Sequence, residues 1–239
     1  MKLRSGVFDE TSVSVPSFLA EQGIAEIIQP LATRAGKRFA GFAGAALIVY
    51  PFVAGCSALE IPFSERHWLT LGSALARVHA AVLPRSLSQQ LRRESGSPKW
   101  RERLNGWLAE HPGDAELVAL LSDRRSEIQE IVERAERLAS SLDSRELVLC
   151  HSDLHAGNVL IDADGDLFVV DWDDPILAPR ERDLMFPGGA QGFLGHTPEG
   201  EEALFARGYG RSAADPSALA YYRYERIIQD MVVYGEDLL

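Results

Sequence analysis

The sequence predicts an α+β protein, with short strands around a central hairpin and helices through most of the second half. Three observations carry that expectation. "FSERHWLTLGSALARVHAAV" and "DAELVALLSDRRSEIQEIVERAERLASSL" repeat apolar residues at helical spacing. Two short apolar runs, "VLI" and "LFVV", flank "DADGD", a turn rich in residues that tolerate positive φ. The last third reads as helical again.

In chain order, "VSVPSFLAEQGI" (13–24) has a helical apolar rhythm, opening after Asp9 to Ser12 and stopping at Gly23. "FAGAALIVYPFVAG" (42–55) reads as one buried strand that runs into Pro51 and breaks at Gly55. A helix is expected over 63–82, with Ser64 as N-cap and apolar residues at 68, 71, 75, 78 and 82. The polar "SLSQQLRRESGSPKW" reads as a loop, and 114–142 as one long amphipathic helix or a helix pair. "ELVLC" is a strand leading into "HSDLHAGNVL" (151–160) and then the hairpin.

Composition excludes several classes. With 46% apolar and 25% charged residues, the chain is neither disordered nor fibrous. No apolar run reaches the roughly 18 residues a membrane span needs, so no membrane partner is expected. The first residues lack the apolar core of a signal peptide. Cys56 and Cys150 are the only cysteines and neither sits in a C-x-x-C pair, which excludes a thiolate zinc site and points to a reducing cytoplasm. A net charge of −11 argues against nucleic acid and suits an acidic cleft for a cationic small molecule.

"HSDLHAGNVL" admits two chemistries. His151, Asp153 and His155 alternate, so on a strand they would share a face, as metal ligands can. A hydrolase site would need further ligands, and His67, His79, His111 and His196 stand alone in the sequence. That reading also leaves Asn158 and the hairpin unexplained. The second chemistry is phosphoryl transfer, which needs a base for the attacking hydroxyl and hard oxygen ligands for magnesium. The hairpin folds Asp171 back beside Asn158, so Asp153, Asn158 and Asp171 would converge at one end of a small sheet. Asp153 as base, with Asn158 and Asp171 as metal ligands, matches that need in type and in the Asp-x-x-x-x-Asn spacing known from protein kinases.

"HSDLHAGNVLIDADGDLFVVDWDD" resembles the signature of the aminoglycoside phosphotransferases, antibiotic kinases with the protein-kinase fold. The tract through "DPILAPRERDLMF" is especially similar to the spectinomycin phosphotransferase branch, and the resemblance covers nearly the whole chain. It implies a protein-kinase-like two-lobed fold with an incomplete N-terminal β lobe and a mainly helical C-terminal lobe. Residues 1–54 would form the partial N-terminal lobe and hinge, and 55–239 the C-terminal lobe with the catalytic loop and acceptor-binding helices.

The resemblance also implies roles. Asp153 would be the catalytic base, with Asn158 and Asp171 holding Mg2+ and His151 bracing the loop. His155 would pack, touch a phosphate, or touch Asp171. Asp183 matches an aspartate that holds the catalytic loop through backbone N–H groups, and Asp173 an acidic position near the metal. Pro51, Phe52 and Val53 would form the hinge that meets the adenine of ATP, with Tyr50 and Phe52 as apolar walls; GTP is the other candidate nucleotide. "KLRSGVFDE" makes Lys2 the lysine that pairs with the α- and β-phosphates, with Glu10 or, further along, Glu21 as its carboxylate partner. The glycine-rich hairpin expected ahead of Lys2 is not in this sequence, which implies a chain short of its first strands.

The reaction expected from the resemblance is ATP-dependent O-phosphorylation of a cationic aminoglycoside or aminocyclitol, spectinomycin-like. The alternatives are a choline-, homoserine- or thiamine-type metabolite kinase, or a catalytically impaired nucleotide-binding relative. Glu199, Glu201, Glu202, Glu225, Asp230 and Glu236 are the acids expected along an acceptor groove, although Arg226 and Asp230 also suit a simple i,i+4 pair. Oligomeric state is not legible.

Overall fold

The computed structural model describes all residues except 95, 111–118, 120, 140, 141, 143, 144, 211–213 and 238–239. The chain forms two compact units, Met1–Arg93 with Leu147–Ala213, and Glu94–Glu146 with Ala214–Leu239.

The first unit opens with β1 (Lys2–Arg4) and α1 (Thr11–Glu21). Asp9 starts that helix: its Oδ1 accepts the Thr11 N–H at 2.9 Å, and Gly23 at φ 81° ends it, as the sequence predicts. The stretch 42–55 is not one buried strand. It divides into the end of β2 (Ala40–Phe42), then β3 (Ala45–Ile48), an extended segment through Pro51, and β4 (Gly55–Ser57). Ala43 at φ 49° and Gly44 at φ 80° turn the chain between β2 and β3, two consecutive positive-φ residues of the kind a tight hairpin requires. Gly55 begins a strand rather than breaking one. A Cβ there would lie 2.1 Å from the Ile161 carbonyl oxygen, so only glycine permits that pairing.

α2 (Glu65–Ala80) starts at Ser64 with a reciprocal cap, the Ser64 side chain on the His67 N–H and the His67 ring on the Ser64 N–H. It buries Trp68, Leu71, Leu75 and Val78, the apolar face expected from spacing. The polar stretch after it is not a plain loop: it holds α3 (Arg85–Ser88) and β5 (Arg92–Arg93). β6 (Val148–Cys150), β7 (Val159–Asp162), β8 (Leu167–Val169) and β9 (Ile176–Ala178) follow, with α6 (Glu181–Leu184) and α7 (Pro198–Tyr209) closing this unit. The strands make three small sheets, ordered β1-β3-β2, β4-β7-β8 and β5-β9-β6. The hairpin forms as expected, β7 and β8 pairing antiparallel with Val159 opposite Val169.

α2 and α7 meet through glycines. A Cβ on Gly208 would sit 2.2 Å from the Leu69 carbonyl oxygen, and one on Gly72 would sit 2.4 Å from the Phe205 carbonyl oxygen. These are backbone atoms that cannot swing away. Gly208→Val is therefore expected to lower unfolding stability by about 3 kcal/mol or more, read as a drop in the chemical denaturation midpoint.

The second unit contains α4 (Lys99–Glu110), α5 (Arg125–Ala139) and α8 (Pro216–Asp237). Leu104, Trp107, Ile128, Val132, Ile228 and Val232 form its core. α4 begins inside the stretch expected to be a loop. Its apolar residues Trp100, Leu104, Trp107 and Leu108 are spaced as a helix face, but the many charges between them mask the rhythm. Of the helix or helix pair expected over 114–142, residues 121–123 are helical, a turn at Arg124 separates them from α5, and residues 114–118, 120, 140 and 141 lie outside the described residues.

Candidate active site

The loop after β6 is held by one buried carboxylate. Asp183, at the start of the short α6 and fully buried, accepts the His151 N–H on Oδ2 and the Ser152 N–H on Oδ1, both at 2.8 Å. His79 on α2 brings its Nε2 to 3.2 Å from the same Oδ2, and its Nδ1 lies 2.8 Å from the Tyr209 hydroxyl on α7. Burial pushes the Asp183 carboxyl up, but the His79 hydrogen bond, the neighbouring histidines and the Ser152 N–H outweigh it and hold the group below the usual carboxylate range. Ser152 takes φ 74°, a left-handed conformation that a serine adopts only under constraint, and its hydroxyl donates to the Asp174 carbonyl at 2.8 Å.

His151 is buried beside Trp172, their rings 4.6 Å apart and edge-on. Its Nε2 lies 2.8 Å from the Val170 carbonyl oxygen and its Nδ1 accepts the Asp153 N–H at 3.2 Å. Those two bonds suit a neutral ring carrying its proton on Nε2. Burial pushes the His151 pKa down, against the raising influence of Asp183 and of the Val170 hydrogen bond. A histidine whose folded pKa lies below its unfolded value stabilises the fold above the unfolded value and loses that contribution as pH falls. The melting temperature should therefore decline as pH is lowered from about 7 through the ordinary histidine range. A His151→Gln variant should show a flatter profile over the same window, whatever its starting melting temperature.

Asp153 emerges from this loop half-exposed, its side chain 46% accessible. The Asn158 amide Nδ2 donates to the Asp153 carbonyl at 2.7 Å and lies 3.4 Å from Asp153 Oδ2. His155 Nδ1 caps its own turn by accepting the Gly157 N–H at 3.0 Å, while Nε2 stands 3.6 Å from Asp153 Oδ2. The alternating His-Asp-His residues do not make a metal centre. Both His151 ring nitrogens are committed to backbone groups, and residues 151–155 form an irregular loop bent at Ser152 rather than the strand that would align the three residues. His79 does not stand alone either. Among the described residues one trio of His, Cys and carboxylate side chains has its ligand atoms close together, His79, Cys150 and Asp183, and all three are buried and engaged in the hydrogen bonds above or with backbone carbonyls.

The hairpin brings the second strand back to this loop. The Val170 N–H donates to the Asn158 carbonyl at 2.9 Å, one residue before Asp171. Asp171 then takes φ 64°, turning its carboxylate out of the strand direction toward β1. There Lys2 Nζ binds Asp171 closely and lies 3.2 Å from Asp173 Oδ1. Arg4 also pairs with Asp173, and its Nη2 is 3.9 Å from Asp171 Oδ1. Lys2 is thus drawn to these two aspartates rather than to Glu10 or Glu21. Glu10 precedes the first turn of α1, and Glu21 pairs with Arg38 at 3.2 Å. The Asp171 and Asp173 carboxylates, with the Asn158 amide oxygen, are hard oxygen donors of the type magnesium takes.

Tyr50 borders this cluster. Burial pushes its hydroxyl pKa up, with Asp171 adding and Arg4 opposing. In the expected hinge Phe52 is 92% exposed, Pro51 is exposed and Val53 is half-buried. The acids expected along an acceptor groove are mostly engaged. Glu201 is buried and accepts the Gly188 N–H at 2.9 Å; Glu225 pairs with Arg101 at 3.2 Å, Asp230 with Arg226 at 2.9 Å, and Glu236 with Arg103 at 2.8 Å. Glu199 and Glu202 lie at the surface.

Comparison with known proteins gives this geometry a context. Residues 14–222 match the model of the phosphotransferase enzyme family. A crystal structure of spectinomycin phosphotransferase in complex with ADP and spectinomycin shares 37% identity at a TM-score of 0.92, over 99% of this chain and 74% of that one. An AMP-bound structure of the same phosphotransferase shares 38% identity at a TM-score of 0.91, over 100% of this chain and 78% of that one. An aminoglycoside phosphotransferase from Streptomyces rimosus, solved with ADP and streptomycin, shares the fold at 20% identity and a TM-score of 0.59, over 92% of this chain and 81% of that one. No curated protein sequence matches. No helix among the described residues is long and apolar enough to cross a membrane. The chain, α+β and kinase-like in fold, belongs to the phosphotransferase enzyme family, whose reaction is phosphoryl transfer to an alcohol group.

Proposed function

We propose that this chain is a cytoplasmic ATP- and Mg2+-dependent kinase that phosphorylates a hydroxyl group of a cationic aminocyclitol of the spectinomycin type. One observation carries the reading: the hairpin and the Asp183-anchored loop bring Asp153, Asn158, Asp171 and Lys2 to one end of a small sheet. In this reading residues 1–54 serve as the nucleotide-side lobe and hinge, and 55–239 as the acceptor-binding lobe.

Asp153 is the base. Its half-exposed carboxylate can take the proton of an incoming hydroxyl, and the Asn158 amide, 3.4 Å from its Oδ2, orients it. Asn158 donates from its amide nitrogen to the Asp153 carbonyl, which leaves its oxygen as the end for a cation. With Asp171 it would hold Mg2+, which supplies charge neutralisation for the phosphates. Lys2 would bind the α- and β-phosphates, Pro51 to Val53 would meet the adenine edge, and His155 would touch a phosphate. Phosphoryl transfer asks little covalent work of these residues beyond alignment and charge. The net charge of −11 favours a cationic acceptor, and the identity to a protein solved with spectinomycin favours that class over choline, homoserine or thiamine.

The test is ADP release from ATP and Mg2+ with each candidate acceptor in turn. Spectinomycin should stimulate release and gain one phosphate by mass spectrometry. Stimulation by a metabolite alcohol and none by spectinomycin would refute the acceptor class while keeping the reaction.

A further inference from the structure

We propose that Arg4 is a second phosphate-binding cation beside Lys2, and that the two together couple nucleotide binding to metal binding. The inference rests on the reading above, in which the chain binds ATP and Asp171 holds Mg2+.

β1 sets up the pair. Residues two apart on a strand share a face, so Lys2 and Arg4 point the same way while Leu3, 56% exposed, points the other. Their cross-strand partners on β3 are Ile48 and Ala46, both buried, so the shared face is the inner one. Tyr50, two residues past Ile48, continues that face and feels the charges of both Asp171 and Arg4. Two cations and two carboxylates therefore meet at one place: Lys2 and Arg4 each contact both Asp171 and Asp173.

That mutual contact has a consequence for ligands. A divalent cation that takes Asp171 competes with two side-chain cations already on the carboxylates. Those cations gain little by moving into water, but a diphosphate offers them replacement anions. Arginine suits this exchange, because its planar fork matches phosphate oxygens in pairs and its charge does not titrate away. Nucleotide phosphates would draw Lys2 and Arg4 off the aspartates and so free them for metal, and metal on the aspartates would free the cations for phosphate. Each ligand then raises the affinity of the other by the same factor. Lys2 alone would provide part of this effect, and Arg4 adds the second charge.

The experiment is calorimetric titration of wild-type protein and Arg4→Gln with ADP, AMP and Mn2+, singly and in pairs. Arg66→Gln serves as the control, since Arg66 is an exposed cation paired with Asp166. In Arg4→Gln, ADP affinity should fall about tenfold, the scale of one lost charge-assisted phosphate bond, with little change for AMP. Mn2+ alone should bind more tightly, and the factor by which Mn2+ improves ADP affinity should shrink toward one. Opposite movements of ADP and Mn2+ affinity are not what a merely destabilised variant shows. Unchanged ADP and Mn2+ affinities in Arg4→Gln, or equal changes in Arg66→Gln, would overturn the proposal while ADP binding by the wild type stands. A wild-type protein that binds neither ADP nor Mn2+ would overturn the kinase reading and this proposal with it.

Discussion

Asp153→Asn is expected to reduce kcat for acceptor phosphorylation about a thousandfold while leaving ADP affinity and melting temperature near those of the wild type. A positioned general base contributes roughly two to four powers of ten, and an amide keeps the shape of the carboxylate without its basicity. The side chain is nearly half exposed, so no buried charge or packing is lost. The loop keeps its anchor, because Asp183 binds the backbone of His151 and Ser152 rather than the Asp153 side chain. The Asn158 amide keeps its 2.7 Å bond to the Asp153 carbonyl, a main-chain atom that the substitution leaves in place. A loss in kcat without a loss in nucleotide binding is the pattern of an interaction made only in the transition state. Turnover equal to the wild type would remove Asp153 from the chemistry, and a matching fall in melting temperature would reassign it to structure.

The loop and hairpin were legible because their information is local. "DADGD" announces a turn, and the Asp162 side chain does take the Asp164 and Asp166 N–H groups at 3.0 and 2.8 Å. The β2–β3 hairpin was not legible, because its turn uses Ala43 and Gly44 with no asparagine or aspartate to mark it. α4 was hidden by charges between its apolar positions. At the site, the resemblance supplied Asp183 but not its partner His79, since a contact across 104 residues leaves no local trace. Arg4 was passed over for a related reason: a charged residue on a three-residue strand looks solvated until the opposite carboxylates are placed. The acidic residues of the C-terminal helices misled in the other direction. Counting carboxylates cannot tell which already have an arginine beside them, and Glu225, Asp230 and Glu236 each do.

Asp183→Asn should cost about 3–5 kcal/mol of unfolding stability, the scale for breaking a buried, fully bonded charge, and should lower kcat even though the residue sits behind the loop. Three donors converge on this carboxylate: two backbone N–H groups at 2.8 Å and the His79 ring at 3.2 Å. An amide presents one oxygen and one NH2, so at least one backbone N–H would face another donor in a fully buried place. The Ser152 N–H belongs to a residue at φ 74°, a conformation that persists only while its surroundings hold it. Releasing that N–H should let the loop relax, carrying Asp153 out of line with the phosphate. His79→Leu removes the third donor and leaves the backbone pair, so its stability cost should be smaller. Because both substitutions act on one network, the double variant should lose less than the sum of the singles. The wild-type carboxylate, held below the ordinary range, contributes stability above its unfolded pKa and loses it as pH falls through the folded value. Acid unfolding of Asp183→Asn should accordingly be less steep below about pH 4. Equal acid profiles, or strictly additive single and double variants, would show that the carboxylate is not the anchor.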